Sequence, residues 1–109
     1  MRKWTLLLLL LTSAVCHGQE VTQDSLQGKW VITSTNGVDD GAREDGWTFA
    51  GNQWIVWSGK RNMSPDPFTV QQDVVDLGYS KLHVLEKTAT TMKVKVGSSS
   101  IEYSLELLD

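Results

Sequence analysis

Cysteine occurs once in the 109 residues, at position 16, and proline only at Pro65 and Pro67. One cysteine excludes an internal disulfide, a Cys-based zinc site and, with Cys16 lying in the leader described below, a cysteine nucleophile. Histidine is almost as scarce, with His17 and His83 alone. No apolar run is long enough to span a membrane as a helix. The longest, Trp4 to Val15, is 12 residues, against the roughly 18 to 20 that a bilayer requires. Clustered positive charge is missing too. Beyond Arg2-Lys3 the only adjacent basic pair is Lys60-Arg61, too little to release counterions from nucleic acid or to hold an anionic membrane.

The first feature present is a leader. Met1-Arg2-Lys3 is positively charged, Leu6 to Leu11 with Thr12-Ser13-Ala14-Val15 is apolar, and Cys16 and Gly18 place small residues three and one before Gln19. This order is that of a secretory signal peptide over residues 1–18. The expectation is a mature chain from Gln19, secreted or periplasmic. Cleavage before an acylated Cys16 is the lesser alternative, because Ser13 and branched Val15 stand where a lipoprotein signal has Leu and a small residue. Loss of Arg2 and Lys3 leaves eight basic against thirteen acidic side chains, a net charge of −5. Residues 19–109 suffice for one small domain.

Within that domain the apolar pattern has a period of two, which predicts an all-β fold. Met92, Val94 and Val96 alternate with Lys93 and Lys95, and Ile101, Tyr103, Leu105 and Leu107 alternate with Glu102, Ser104 and Glu106. Two half-buried strands joined by Gly97 to Ser100 follow, with the Lys and Glu rows facing each other on the solvent side. A second hairpin turns at Ala50-Gly51-Asn52-Gln53, with Gly and Asn where positive φ is expected. Its register sets Phe49 opposite Trp54, Trp47 opposite Val56, and Trp57 opposite Gly46. An aromatic there can cover the bare glycine backbone.

Further strands are expected over Leu26 to Ser34, Phe68 to about Leu77, and Lys81 to Lys87, the last with Leu82 and Val84 on one face. Apolar parity changes between Val70 and Val75, so a bulge or a break into two strands is predicted there. The result is an antiparallel meander barrel or sandwich of about seven or eight short strands. Two long loops remain, Thr35 to Gly46 with four acidic residues, and Ser58 to Pro67. Long loops on a rigid scaffold are common places for function.

Asp24-Ser25-Leu26-Gln27-Gly28-Lys29-Trp30 resembles the opening of lipocalin-like (calycin-type) barrels, particularly small bacterial ones. The resemblance rests on Leu26, Gly28 and Trp30, with Val31 to Gly37 similar to a first strand running into a lid loop. It implies a short N-terminal helical turn, a barrel whose closed end is plugged by Trp30, and an apolar or amphipathic small-molecule ligand. Such barrels also set a basic residue against that Trp, and the last strand here offers no Arg for it. With strands this short, the barrel is expected to be nearly filled by its own side chains.

Catalytic chemistry finds little to work with. His83 falls on the strand face opposite Leu82 and Val84, and no serine sits in a nucleophile context, so no enzyme is expected. Asp39-Asp40 and Glu44-Asp45 lack the alternating spacing of a calcium loop; neither metal nor cofactor is expected. Asn62-Met63-Ser64 is a formal glycosylation triplet, relevant only in a eukaryotic host. The informative cluster is aromatic. Trp47, Phe49, Trp54 and Val56, with Phe68 and Val70, are candidates for the wall of an apolar pocket, though core filling alone could use them. Ile55 and Trp57 point the other way and are expected to form an exposed apolar patch. Two functions follow. One is a small-molecule binding protein; the other is a protein-interaction module resembling secreted protease-inhibitor barrels, with a filled core, the Ile55 and Trp57 surface, and residues 19–25 as the inserting segment.

Overall fold

A computed structural model describes residues 20–97 and 99–108; the signal-peptide reading of residues 1–18 lies outside them. The fold is all-β, and the described residues form one helical turn, α1 (Gln23–Leu26), and eleven strands. These are β1 (Gly28–Thr35), β2 (Val38–Asp39), β3 (Asp45–Ala50), β4 (Gln53–Ser58), β5 (Arg61–Asn62), β6 (Asp66–Pro67), β7 (Thr69–Gln71), β8 (Val74–Asp76), β9 (Lys81–Lys87), β10 (Thr91–Val96) and β11 (Glu102–Leu108). They form one antiparallel sheet in the order β5-β4-β3-β1-β11-β10-β9-β8-β7, with β2 on β1 and β6 on β4. From β7 to β11 it is a plain meander, and the last strand then pairs with the first. The sheet is strongly curled, a half-barrel with its apolar face inside.

The β3–β4 hairpin has the predicted register, with Phe49 opposite Trp54, Trp47 opposite Val56 and Gly46 opposite Trp57. In its turn only Gly51 has positive φ, 61°, as a type II′ turn needs, so Asn52 is not held in the left-handed region. Residues 68 to 77 do break in two. Gln72 and Asp73, at φ 50° and 65°, make a tight turn that pairs β7 with β8, and that turn is why the parity changes.

Three expectations need correction. Leu26 belongs to α1, so the first strand runs from Gly28 to Thr35. The segment after Thr35 is a hairpin rather than an irregular loop: Asn36-Gly37, at φ 52° and 82°, returns β2 onto β1. Of the two lysines expected to face glutamates of β11, Lys95 does lie opposite Glu102 but Lys93 lies opposite Ser104, and the Lys93 ammonium is 4.0 Å from Glu86 on β9.

The two ends of the barrel differ. At one end Thr22 and Ser25 exchange side-chain and backbone hydrogen bonds of 2.9 and 3.0 Å in a capping box, which seats Leu26 over the core. Trp30 is 0% exposed, and its indole N–H donates to the Leu26 carbonyl at 2.7 Å. The Gln27 side chain donates to the Gly51 carbonyl at 2.8 Å and accepts from the Gly51 N–H at 2.7 Å, tying α1 to the β3–β4 turn. Gly28 has φ 126°, a conformation strained for any other residue, and a Cβ there would lie 2.7 Å from the Leu107 Cδ1, which would have to shift. The other end carries the β1–β2 hairpin and the β8–β9 turn, and is open.

Candidate functional site

Two bulges decide what faces the interior. Thr33 is an extra residue between the pairs Ile32–Leu105 and Ser34–Ser104, and its hydroxyl donates to the Ser104 carbonyl at 3.1 Å. Past it, Thr35 lies opposite Tyr103 at the open end. On β9, Leu85 is the extra residue between Glu86–Lys93 and Val84–Val94. A bulge shifts side-chain parity by one. Leu85 therefore points out, and Lys87 is buried with its ammonium 5.1 Å from the centre of the Trp30 ring. Its Nζ also donates to the Thr88 carbonyl at 2.6 Å. Burial lowers the Lys87 pKa below its usual value. A basic group thus lies against Trp30 from β9 and not from the last strand.

Of the sequence-derived candidates, Trp47, Trp54 and Val56 line a cavity of about 580 Å³ at the open end, within the size range of small-molecule sites. Phe49, Phe68 and Val70 do not line it. Phe49 and Phe68 pack edge to face at 5.2 Å and fill the core below the cavity, with Val70 packed against that core. The barrel is thus filled at its closed end and hollow at the other.

The cavity wall has an aromatic spine. Trp47 meets Trp54 edge on at 5.7 Å and Tyr103 at 5.6 Å, and such edge-to-face pairs hold rings in fixed orientations. Ile32, Leu77, Leu82 and Val96 add to the apolar lining, which Gly46 and Trp57 also border. Sequence periodicity placed Leu82 and Val96 on apolar strand faces but gave no sign that the four converge, because they come from β1, β9, β10 and the β8–β9 turn. Around the mouth stand Thr35, Asp40, Asp45, Ser58, Tyr79 and Ser80. The Tyr79 hydroxyl donates to Asp66 at 2.9 Å; desolvation and then that carboxylate raise its pKa. The indole N–H of Trp54 is buried with no acceptor among the described residues.

Ile55 and Trp57 do not form an exposed patch. Trp57 is only 5% exposed and Ile55 is half-buried. The Trp57 ring lies on the outer face over Gly46, where a Cβ would come within 2.5 Å of it, and the Lys29 ammonium sits 4.5 Å from its centre. Pairing with glycine was legible in sequence. Cover from β1, a neighbour two strands away, was not. His83 is exposed on β9 as expected. Among the described residues no group of three or more His, Cys, Asp or Glu converges on one point, and no helix is long and apolar enough to cross a membrane.

No family model matches this chain. Nor does any curated protein or solved structure. Function has to be read from the cavity and its surroundings.

Proposed function

We propose that this is a lipocalin-like domain, acting outside the cytoplasm after removal of residues 1–18, that holds a small apolar or amphipathic molecule in the open end of its barrel. The observation that carries this reading is the cavity of about 580 Å³ walled by Trp47, Trp54 and Val56. Pockets of this kind bind by burying apolar ligand surface, with a few polar groups at the mouth fixing orientation. An interaction module would have no use for the hollow. Its expected surface, the Ile55 and Trp57 patch, is covered, which leaves that alternative only the segment 19–25.

N-Phenyl-1-naphthylamine, a neutral apolar fluorophore, is a suitable probe. The chain from Gln19 should enhance its emission saturably at one equivalent. Val56→Trp, which places an indole in the cavity, should weaken the probe at least tenfold while circular dichroism shows the sheet intact. Absence of any saturable signal from the folded wild type would overturn the proposal.

A further inference from the structure

The mouth of the cavity is chemically one-sided. Asp40 and Asp45 border it, and neither carboxylate has a basic partner among the described residues. No Lys, Arg or His lines the cavity. The nearest candidates are committed or set apart. Arg43 is held by Asp39 at 3.7 Å and by the Thr33 carbonyl at 3.2 Å, while Lys60 and Arg61 lie beyond Ser58 on the β4–β5 hairpin and are not part of the lining. Nor is the Tyr79 hydroxyl free to greet an anion, since it donates to Asp66.

We propose that the ligand is an amphipathic organic cation, with its apolar body against the Trp54, Trp47 and Tyr103 spine and its ammonium group at the mouth between Asp40 and Asp45. This rests on the cavity being the binding site. An entering carboxylate head would meet two like charges with no cation in the lining, the nearest being Arg43 on the Thr33 carbonyl that also takes the Asp40 N–H, whereas an ammonium gains attraction to both carboxylates and to the faces of aromatic rings. The negative charge of the whole domain acts in the same direction, drawing cations towards the mouth.

Three probes of equal chain length separate the possibilities: decyltrimethylammonium, decanol and decanoate, each titrated calorimetrically below its micelle concentration into the chain from Gln19. The ammonium should bind about tenfold more tightly than the alcohol, as two partly solvated ion pairs would give, and the carboxylate most weakly. Asp40→Asn combined with Asp45→Asn should abolish the ammonium's advantage and leave decanol unchanged, and high salt should reduce the advantage in the wild type. Val56→Trp should abolish all three. Equal affinity for ammonium and alcohol, or an advantage that survives the double substitution, overturns the cation proposal and leaves the cavity reading standing. Ammonium binding that survives Val56→Trp is adsorption to the surface and also overturns it. If none of the three probes binds, the cavity reading fails and the cation proposal with it.

Discussion

The closed and open ends of the barrel are built from the same strands and handle polar groups in opposite ways. At the closed end the Trp30 indole, the Gln27 amide, the Thr22 and Ser25 hydroxyls and the Lys87 ammonium all have partners, and Leu26 and Trp30 are fully buried. At the open end Val38 and Tyr79 are about 70% and 69% exposed, and Asp40 and Asp45 stand without cations. A chain this short, with no disulfide, has a small core and a narrow stability margin. Concentrating packing and satisfied hydrogen bonds at one end is what leaves the other end able to stay hollow.

That contrast is most directly broken at Trp30. Trp30→Ala should cost about 3 to 5 kcal/mol, the range for deleting a buried aromatic, read as a fall in the urea midpoint. An unchanged midpoint would mean that the closed end does not hold the fold. Gly46→Ala tests the boundary between the ends, because a methyl there meets the Trp30 carbonyl and the Trp57 ring. About 3 kcal/mol of destabilisation, the top of the usual range for overpacking, is expected because the nearer atom is backbone, and the cost of Gly46→Ala should be smaller when measured against Trp57→Ala than against wild type; an equal cost in both backgrounds would show that the clash with the backbone dominates.

The smallest effect belongs to the open end. Tyr79→Phe removes the hydrogen bond to Asp66, yet at so exposed a site the change should stay within about 0.5 kcal/mol at neutral pH. Its sign with pH follows from the raised Tyr79 pKa. The bond contributes below pH 10, where the phenol is protonated folded and unfolded, and is lost as the pH rises through the folded value. Wild type and Tyr79→Phe should therefore differ slightly at pH 8 and converge in stronger alkali. A loss at pH 8 as large as that for Gly46→Ala would make the open end a structural element in its own right.

What was legible in the sequence was whatever the period of two could carry. The register of β3 against β4, the bounds of β9 and the break near Gln72 all follow from alternation and turn residues within one hairpin. The closed-end role of Trp30 came from a short motif whose intervening Gln27 gave no sign of its reach to Gly51, 24 residues away. Lys87 was hidden because a single bulge at Leu85 reverses the parity, and no local signal announced it. The burial of Trp57 was hidden for a different reason: the Lys29 ammonium that covers it comes from a strand brought beside it only by tertiary structure. The pocket candidates divided because Phe49 and Phe68 lie at the level of the β3–β4 turn, where Phe68 donates its N–H to the Asn52 carbonyl at 2.9 Å. Depth along a barrel is set by strand stagger, which alternation does not encode.

That Phe68 bond has a mechanical meaning. β6 adds to β4 and β7 adds to β8, and Phe68 alone joins them, so the two free margins of the curled sheet are laced by the chain itself and not by a continuous ladder. Phe68 to Asn52 extends the β6–β4 pairing, so the hydrogen bond across the gap is Tyr79 to Asp66, worth no more than about 0.5 kcal/mol at so exposed a site, while the buried Phe68 ring packs on Phe49 in the core. Parting the margins leaves every other strand pairing intact. Core packing of Phe68, and not a strand ladder, therefore closes this side of the sheet, and amide hydrogens there should exchange with solvent before those of β1 and β11.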